Sequence, residues 1–188
     1  MLLRLTSSFI RPADNTAYTA GDEISNHATA GSVVRPTFDL SGWSRGRVLR
    51  AGVSVTPASG NVVITAFNFN MLLFKTTEVP SAVGDNVTHP LTGAQRATAI
   101  GHFLFDNDGW VNPLGAYAAS TSAFQLAPDT LYLPSAAPAF VHSDGANFDF
   151  RGAAIDSREL TAVFQVLAAW TPTGVANTFG IVLDLDVE

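Results

Sequence analysis

The C-terminal residues Phe179, Ile181, Leu183, Leu185 and Val187 alternate with Gly180, Asp184, Asp186 and Glu188. A period of two is that of extended backbone, whose successive side chains point to opposite faces, so the stretch predicts a strand with one apolar and one acidic face. Between Arg47 and Thr56 the same repeat sets Leu49, Ala51, Val53 and Val55 against Arg50, Gly52, Ser54 and Thr56. From Asn61 to Phe74 it sets Val63, Phe67, Phe69, Met71 and Leu73 against Asn68 and Asn70. Pro57-Ala58-Ser59-Gly60 between them is turn chemistry, which predicts that these two strands form a hairpin. Shorter strands are expected at Val33 to Leu40, Ile100 to Phe105 and Asn147 to Arg151.

Leu160 to Trp170 fits two patterns. Leu160, Val163, Phe164 and Leu167 make a helical stripe, and Asp156 with Glu159 matches a capping box. Leu160, Ala162, Phe164, Val166 and Trp170 make a strand face. Strand is preferred because Thr171-Pro172-Thr173-Gly174 ends the run and the last strand needs an adjacent antiparallel partner. Roughly seven or eight short strands predict an all-β, antiparallel β-sandwich, jelly-roll-like since that is the common eight-strand version. Residues 1–188 read as one domain, with 1–26 a possible N-terminal arm and 107–139 a long loop excursion of the kind that usually serves contact.

Composition narrows the function. The 188 residues carry ten basic and sixteen acidic side chains, a net charge of −6, and only 14% are charged against about 25% ordinarily. A globule of this mass exposes roughly 8,600 Å², so charges are sparse enough to imply that part of the surface is covered by copies or a partner. Lys75 is the single lysine and the arginines are scattered in sequence, which argues against nucleic acid. Without cysteine, thiolate metal sites, disulfides and cysteine nucleophiles are excluded. No run approaches the ~20 apolar residues of a bilayer span, Met71 to Phe74 being typical, so no membrane partner is expected. Met1 to Leu5 shows no secretory pattern, and synthesis in a cytoplasm is expected. Asn86-Val87-Thr88 is read as a chance sequon.

No catalytic constellation stands out, and no enzyme activity or cofactor is expected. His27, His89, His102 and His142 lack metal-ligand spacing and read as surface or turn residues, with His102, beside Phe103 on a strand, packed or at an interface. Asp106-Asn107-Asp108-Gly109 is similar to the start of a calcium loop but has no bidentate Glu at the twelfth position, so turn chemistry is preferred to a cation site. Asp144, Gly145 and Asp149 form a second such cluster. Trp43, Trp110 and Tyr18 fall in expected loops, suited to a sugar platform, an interface or the plugging of a sandwich end. Trp170 reads as a plug.

Phe9-Ile10-Arg11-Pro12-Ala13-Asp14-Asn15-Thr16-Ala17-Tyr18-Thr19-Ala20-Gly21-Asp22-Glu23-Ile24 resembles a family of small tailed-bacteriophage virion proteins that open with Arg-Pro, a polar stretch and Tyr-x-Ala-Gly-Asp before an apolar residue. Arg47 to Val55, Phe67 to Phe74, and Trp170-Thr171-Pro172 through Phe179-Gly180-Ile181 resemble the same family in order and spacing. The resemblance implies a capsid decoration, or cement, protein with a jelly-roll or related fold, bound outside the major capsid protein shell of the virion and often a homotrimer. Two-fold assembly is the competing outcome. The alternative is a receptor- or carbohydrate-binding module of a head or tail fibre. Physically, the motif lets Tyr18 and Ile24 bury while Gly21 supplies positive φ and Asp22 accepts from turn amides. Contact with capsid or with other copies is expected from the apolar N-terminus and the excursion, through Leu2, Leu3, Phe9, Trp43, Trp110, Tyr117, Phe124 and Tyr132. Met1 to Ile10 is too apolar for a free terminus and should add to its own sheet or dock on a neighbour.

Overall fold

The computed structural model describes residues 1–57, 67–105 and 146–188. Two antiparallel sheets face each other. In the first, β1 (Leu2–Arg11), β9 (Asn177–Val187), β4 (Arg45–Pro57) and β7 (Ala146–Asp149) lie in that order. In the second, β8 (Glu159–Val166) is flanked on one side by β5 (Phe69–Lys75), which continues to β6 (Gly101–Phe105). On its other side β8 pairs with two short strands in succession, β2 (Glu23–Ile24) and β3 (Thr37–Asp39).

The core is the space between the sheets. Val48, Ala51, Val53, Val55, Phe179, Ile181, Leu183, Leu185 and Val187 meet Phe69, Met71, Leu73, Phe103, Phe105, Leu160, Ala162, Phe164 and Val166 there in one apolar cluster. The chain is therefore the all-β sandwich that its alternation predicts. β5 is buried on both faces, because Leu72 and Phe74 turn away from this core onto Leu91, Ala99 and Val163 beside the short helix α1 (Gly93–Thr98). The capping box in the structure belongs to α1, where Thr92 Oγ1 accepts from Gln95 N–H and Gln95 Oε1 accepts from Thr92 N–H. Asp156 lies in a 3-10 turn, and Leu160 to Val166 is strand.

Three expectations are corrected. β4 and β5 do not pair: each lies in a different sheet, β4 between β9 and β7, and β5 between β8 and β6. β8 and β9 likewise lie in opposite sheets, and the backbone of β9 is satisfied by β1 and β4 instead. Alternation reports which face of a strand is apolar, and two sequential strands can bury those faces side by side or across a sandwich. Finally, the register of β4 on β9 shifts between Val48 and Arg50. This one-residue bulge inverts the parity of the strand, so Val48 faces the core while Leu49 is 37% exposed.

The extended stretch Val33 to Leu40 contracts to the three residues of β3, after a 3-10 turn at Ala30–Ser32. The N-terminal residues take the sheet-addition outcome: all ten residues of β1 are in register with β9, and only loop and β2 follow before residue 26. Along β1, Leu3, Leu5, Ser7, Phe9 and Arg11 face inward, and Leu2, Arg4, Thr6, Ser8 and Ile10 are exposed.

Candidate functional site

The motif from Arg11 to Ile24 builds one end of the sandwich out of buried charge. Arg11, at the end of β1, has no exposed surface. Its Nη2 donates to the carbonyls of Val175 at 3.0 Å and Asp14 at 3.3 Å, and its Nε to Asn177 Oδ1 at 3.3 Å. Nη1 lies 3.4 Å from Asp14 Oδ2 and 3.9 Å from Asp85 Oδ2. The guanidinium also sits 5.6 Å from the Trp170 ring and 5.9 Å from that of Tyr18. Tyr18 donates its hydroxyl to Asp85 Oδ2 at 2.6 Å, and Ser25 N–H donates to Asp85 Oδ1 at 2.8 Å. Burial pushes the Asp85 carboxyl up to about 6, against the lowering effect of Ser25 N–H, the Tyr18 hydroxyl and Arg11. Burial, then the Asp85 charge, holds the Tyr18 phenol far above its ordinary value.

A second buried cluster follows directly in sequence. Glu23, on β2, accepts from Arg35 through both oxygens at 2.9 Å, has Oε2 2.9 Å from His89 Nδ1, and accepts from Val83 N–H at 3.3 Å. Burial works to raise this carboxyl, but the His89 and Arg35 hydrogen bonds outweigh it and hold Glu23 below its ordinary value. Arg35 also donates to the Pro80 carbonyl. Between the clusters Gly21 takes φ +94°, and Asp22 Oδ2 accepts from Thr19 N–H at 2.6 Å while its Oδ1 accepts from the Thr88 hydroxyl. Tyr18 and Ile24 are buried. The turn role read from the motif is thus the one the structure gives it.

These clusters are clamps. Each joins segments distant in sequence through hydrogen bonds and ion pairs within the chain, so that loops 12–22, 25–36 and 80–89 are fixed against the sandwich. Sequence reasoning missed Arg11, Glu23, Arg35, Asp85 and His89 as partners. His89 is buried and paired with Glu23, contrary to the surface or turn reading. His27 does sit in a turn, its Nδ1 accepting from Thr29 N–H, and His102 is half-buried on β6.

The exposed face has a different character. A groove of about 850 Å³ runs between Ser7 to Pro12, the end of β1 and the residue after it, and the segments Asn26 to Ala28 and Val34 to Thr37. Ile10 is 54% exposed and Val34 69%, so the groove has an apolar floor and rim. On the outer face of the first sheet, Asp184 bridges Arg4 and Arg50 across three strands, and Arg45 pairs with Glu188. The tertiary structure thereby gathers arginines that are scattered in sequence, and the acidic face expected of β9 is neutralised by its neighbours.

Of the contact residues expected from sequence, Leu2 is 76% exposed at the outer face of β1, and Leu3 and Trp43 are half-buried against the core. Phe9 is corrected to a core residue: it stacks on Phe179 at 4.8 Å between ring centroids and is all but buried. Trp170 is the plug expected, stacked on Phe67 at 3.9 Å. Trp110, Tyr117, Phe124 and Tyr132, with Asp106, Asp108 and His142, lie outside the described residues. No protein-family model, no curated protein and no solved structure matches this chain.

Proposed function

We propose that this protein is a non-enzymatic virion structural protein of the capsid-decoration type, binding the outside of a major capsid protein shell. The observation that carries the reading is the use made of the motif on which the resemblance rests. Arg11, Tyr18, Asp22 and Glu23 are all buried and engaged with their own chain, so the signature encodes a scaffold. A resemblance in a scaffold signature speaks for a shared architecture, and the decoration role is carried over from it by analogy.

The strand order agrees with that reading. Among the described residues, with β2 and β3 counted as one interrupted strand, the sheets run first-eighth-third-sixth and second-seventh-fourth-fifth, an order that supports the jelly-roll reading. Weak contacts repeated over a symmetric shell become strong through multivalency, so no single site needs high affinity. The test is to mix purified protein with undecorated capsids and to locate the chain in native particles. Co-sedimentation with capsids and density on the outer shell are expected; absence from particles, or presence only at the tail, overturns the reading.

A further inference from the structure

We propose that the edge of β1 that no described strand covers pairs with the same edge of a second copy of this chain, antiparallel and about a two-fold axis through Thr6. The Met1 carbonyl accepts from Val187 N–H at 2.9 Å, and the register runs unbroken from Leu2↔Asp186 to Arg11↔Asn177. In an antiparallel ladder, residues alternate between bonding the neighbour and pointing away from it. Odd-numbered residues of β1 therefore bond β9, and Leu2, Arg4, Thr6, Ser8 and Ile10 direct their N–H and C=O groups to the outer edge. Among the described residues no strand pairs with that edge. Edges are ordinarily blunted by lysine, proline, a bulge or short length. β1 has ten residues and no bulge against β9, and of its two charges Arg11 is buried inward, which leaves Arg4 as the one charge among the residues directed to this edge.

The sequence of this edge is complementary to itself. An axis at Thr6 sets Leu2 against Ile10 of the other copy, two exposed apolar residues, and Arg4 against Ser8, with Thr6 facing Thr6. An axis at Arg4 would oppose two arginines, and one at Leu5 or Ser7 leaves Leu2 facing Ser8 or Pro12. The groove supplies a second match. It lies beside Ser7 to Pro12, and the Thr6 axis delivers the apolar Leu2 and Leu3 of the other copy to that end, against Ile10, Val34 and Pro36. Each copy fills the other's groove, and the two first sheets join into one continuous sheet. The contact is isologous and closes at two copies, the competing outcome to the trimer that the resemblance implies.

The inference stands apart from the decoration reading because it is measured on the free protein. A strand-pair interface is small, so association is expected in the micromolar range. Sedimentation of the full chain from about 1 to 500 µM should show mass rising from one chain to two. In this cysteine-free chain, a short thiol cross-linker should join Thr6→Cys chains in pairs. It should leave Ser8→Cys single, since the axis separates the two copies of residue 8 by about 13 Å. Ile10→Lys should weaken the dimer at least tenfold, and adding Leu2→Glu should restore it by placing opposite charges across the axis. A monomer throughout the range, a plateau at three copies, equal cross-linking of Ser8→Cys, or failure of the double variant to recover overturns the proposal.

Discussion

Replacing Arg11 with methionine tests whether the buried cluster at the end of the sandwich is held by charge. The substitution keeps the length and apolar stem but removes four hydrogen bonds, to Val175, Asp14, Asn177 and the Tyr18 hydroxyl, and the cation beside Asp14 and Asp85. Removing one partner of a buried pair costs about 3–5 kcal/mol, largely because the other charge is left without compensation. That part depends on pH. The Asp85 carboxyl titrates at about 6 in the folded chain against an ordinary 3.8. The folded state therefore binds more protons between those values, and the stability contributed by this group is fully present below about 4 and declines until pH passes about 6. The gap of about two pH units is worth about 3 kcal/mol.

Without Arg11 the carboxyl loses an attractive charge, its folded value moves higher still, and the declining window extends upward. Glu23, held below its ordinary value, has the opposite sign: its contribution is lost only as pH falls through the acidic range, below the window used. Urea denaturation followed by circular dichroism at pH 8 and pH 5 measures the difference. The Arg11→Met deficit should be about 3–5 kcal/mol at pH 8. At pH 5, where Asp85 is protonated in both proteins, it should be smaller by about 1.4 kcal/mol or more, one pKa unit of interaction. A deficit equal at both pH values would refute the electrostatic account and leave only lost packing.

Other expectations follow from burial and backbone geometry. Phe9→Ala should cost about 3–5 kcal/mol in denaturant titration, because the ring is stacked in the core, whereas a surface contact residue would cost little. Leu49→Ala should change stability by no more than about 0.5 kcal/mol while Leu73→Ala costs about 2–5, a contrast in urea midpoints that follows because the bulge turns Leu49 outward and Leu73 stays in the core. Gly84→Ala should lower the thermal midpoint by an amount equivalent to more than about 1 kcal/mol, since Gly84 has φ +106° and a Cβ there would stand 2.4 Å from the Ala28 carbonyl oxygen.

Local sequence was enough for the class of fold and for most strands. Phe179 to Val187 and Val53 to Val55 could hide their apolar side chains only as one face of a sheet, and the Gly21-Asp22 turn follows from side-chain chemistry within four residues. Leu49 marks where that reading fails. Its apolarity predicts burial, yet a single bulged residue moves it to the surface, and nothing in the local pattern distinguishes Val48-Leu49 from a regular alternation. Strand partners were equally illegible, because β4 and β5 bury their apolar faces as well across the sandwich as side by side.

The buried clusters belong wholly to the tertiary structure. Arg11, Asp85 and Asn177, or Glu23, Arg35 and His89, are isolated polar residues in a chain poor in charge, and only folding brings Asp85 to Tyr18 across 67 positions. Such groups lose hydration on burial and recover it solely from partners supplied by distant loops, so neither their burial nor their pairing leaves a local trace. The edge of β1, which no described strand covers, divides in the same way. Its alternation and apolarity are written in residues 2–11, but that it is the last of the described strands in its sheet, with a groove beside one half and the fitting side chains on the other, is decided by where β9 and the 26–37 loop come to lie.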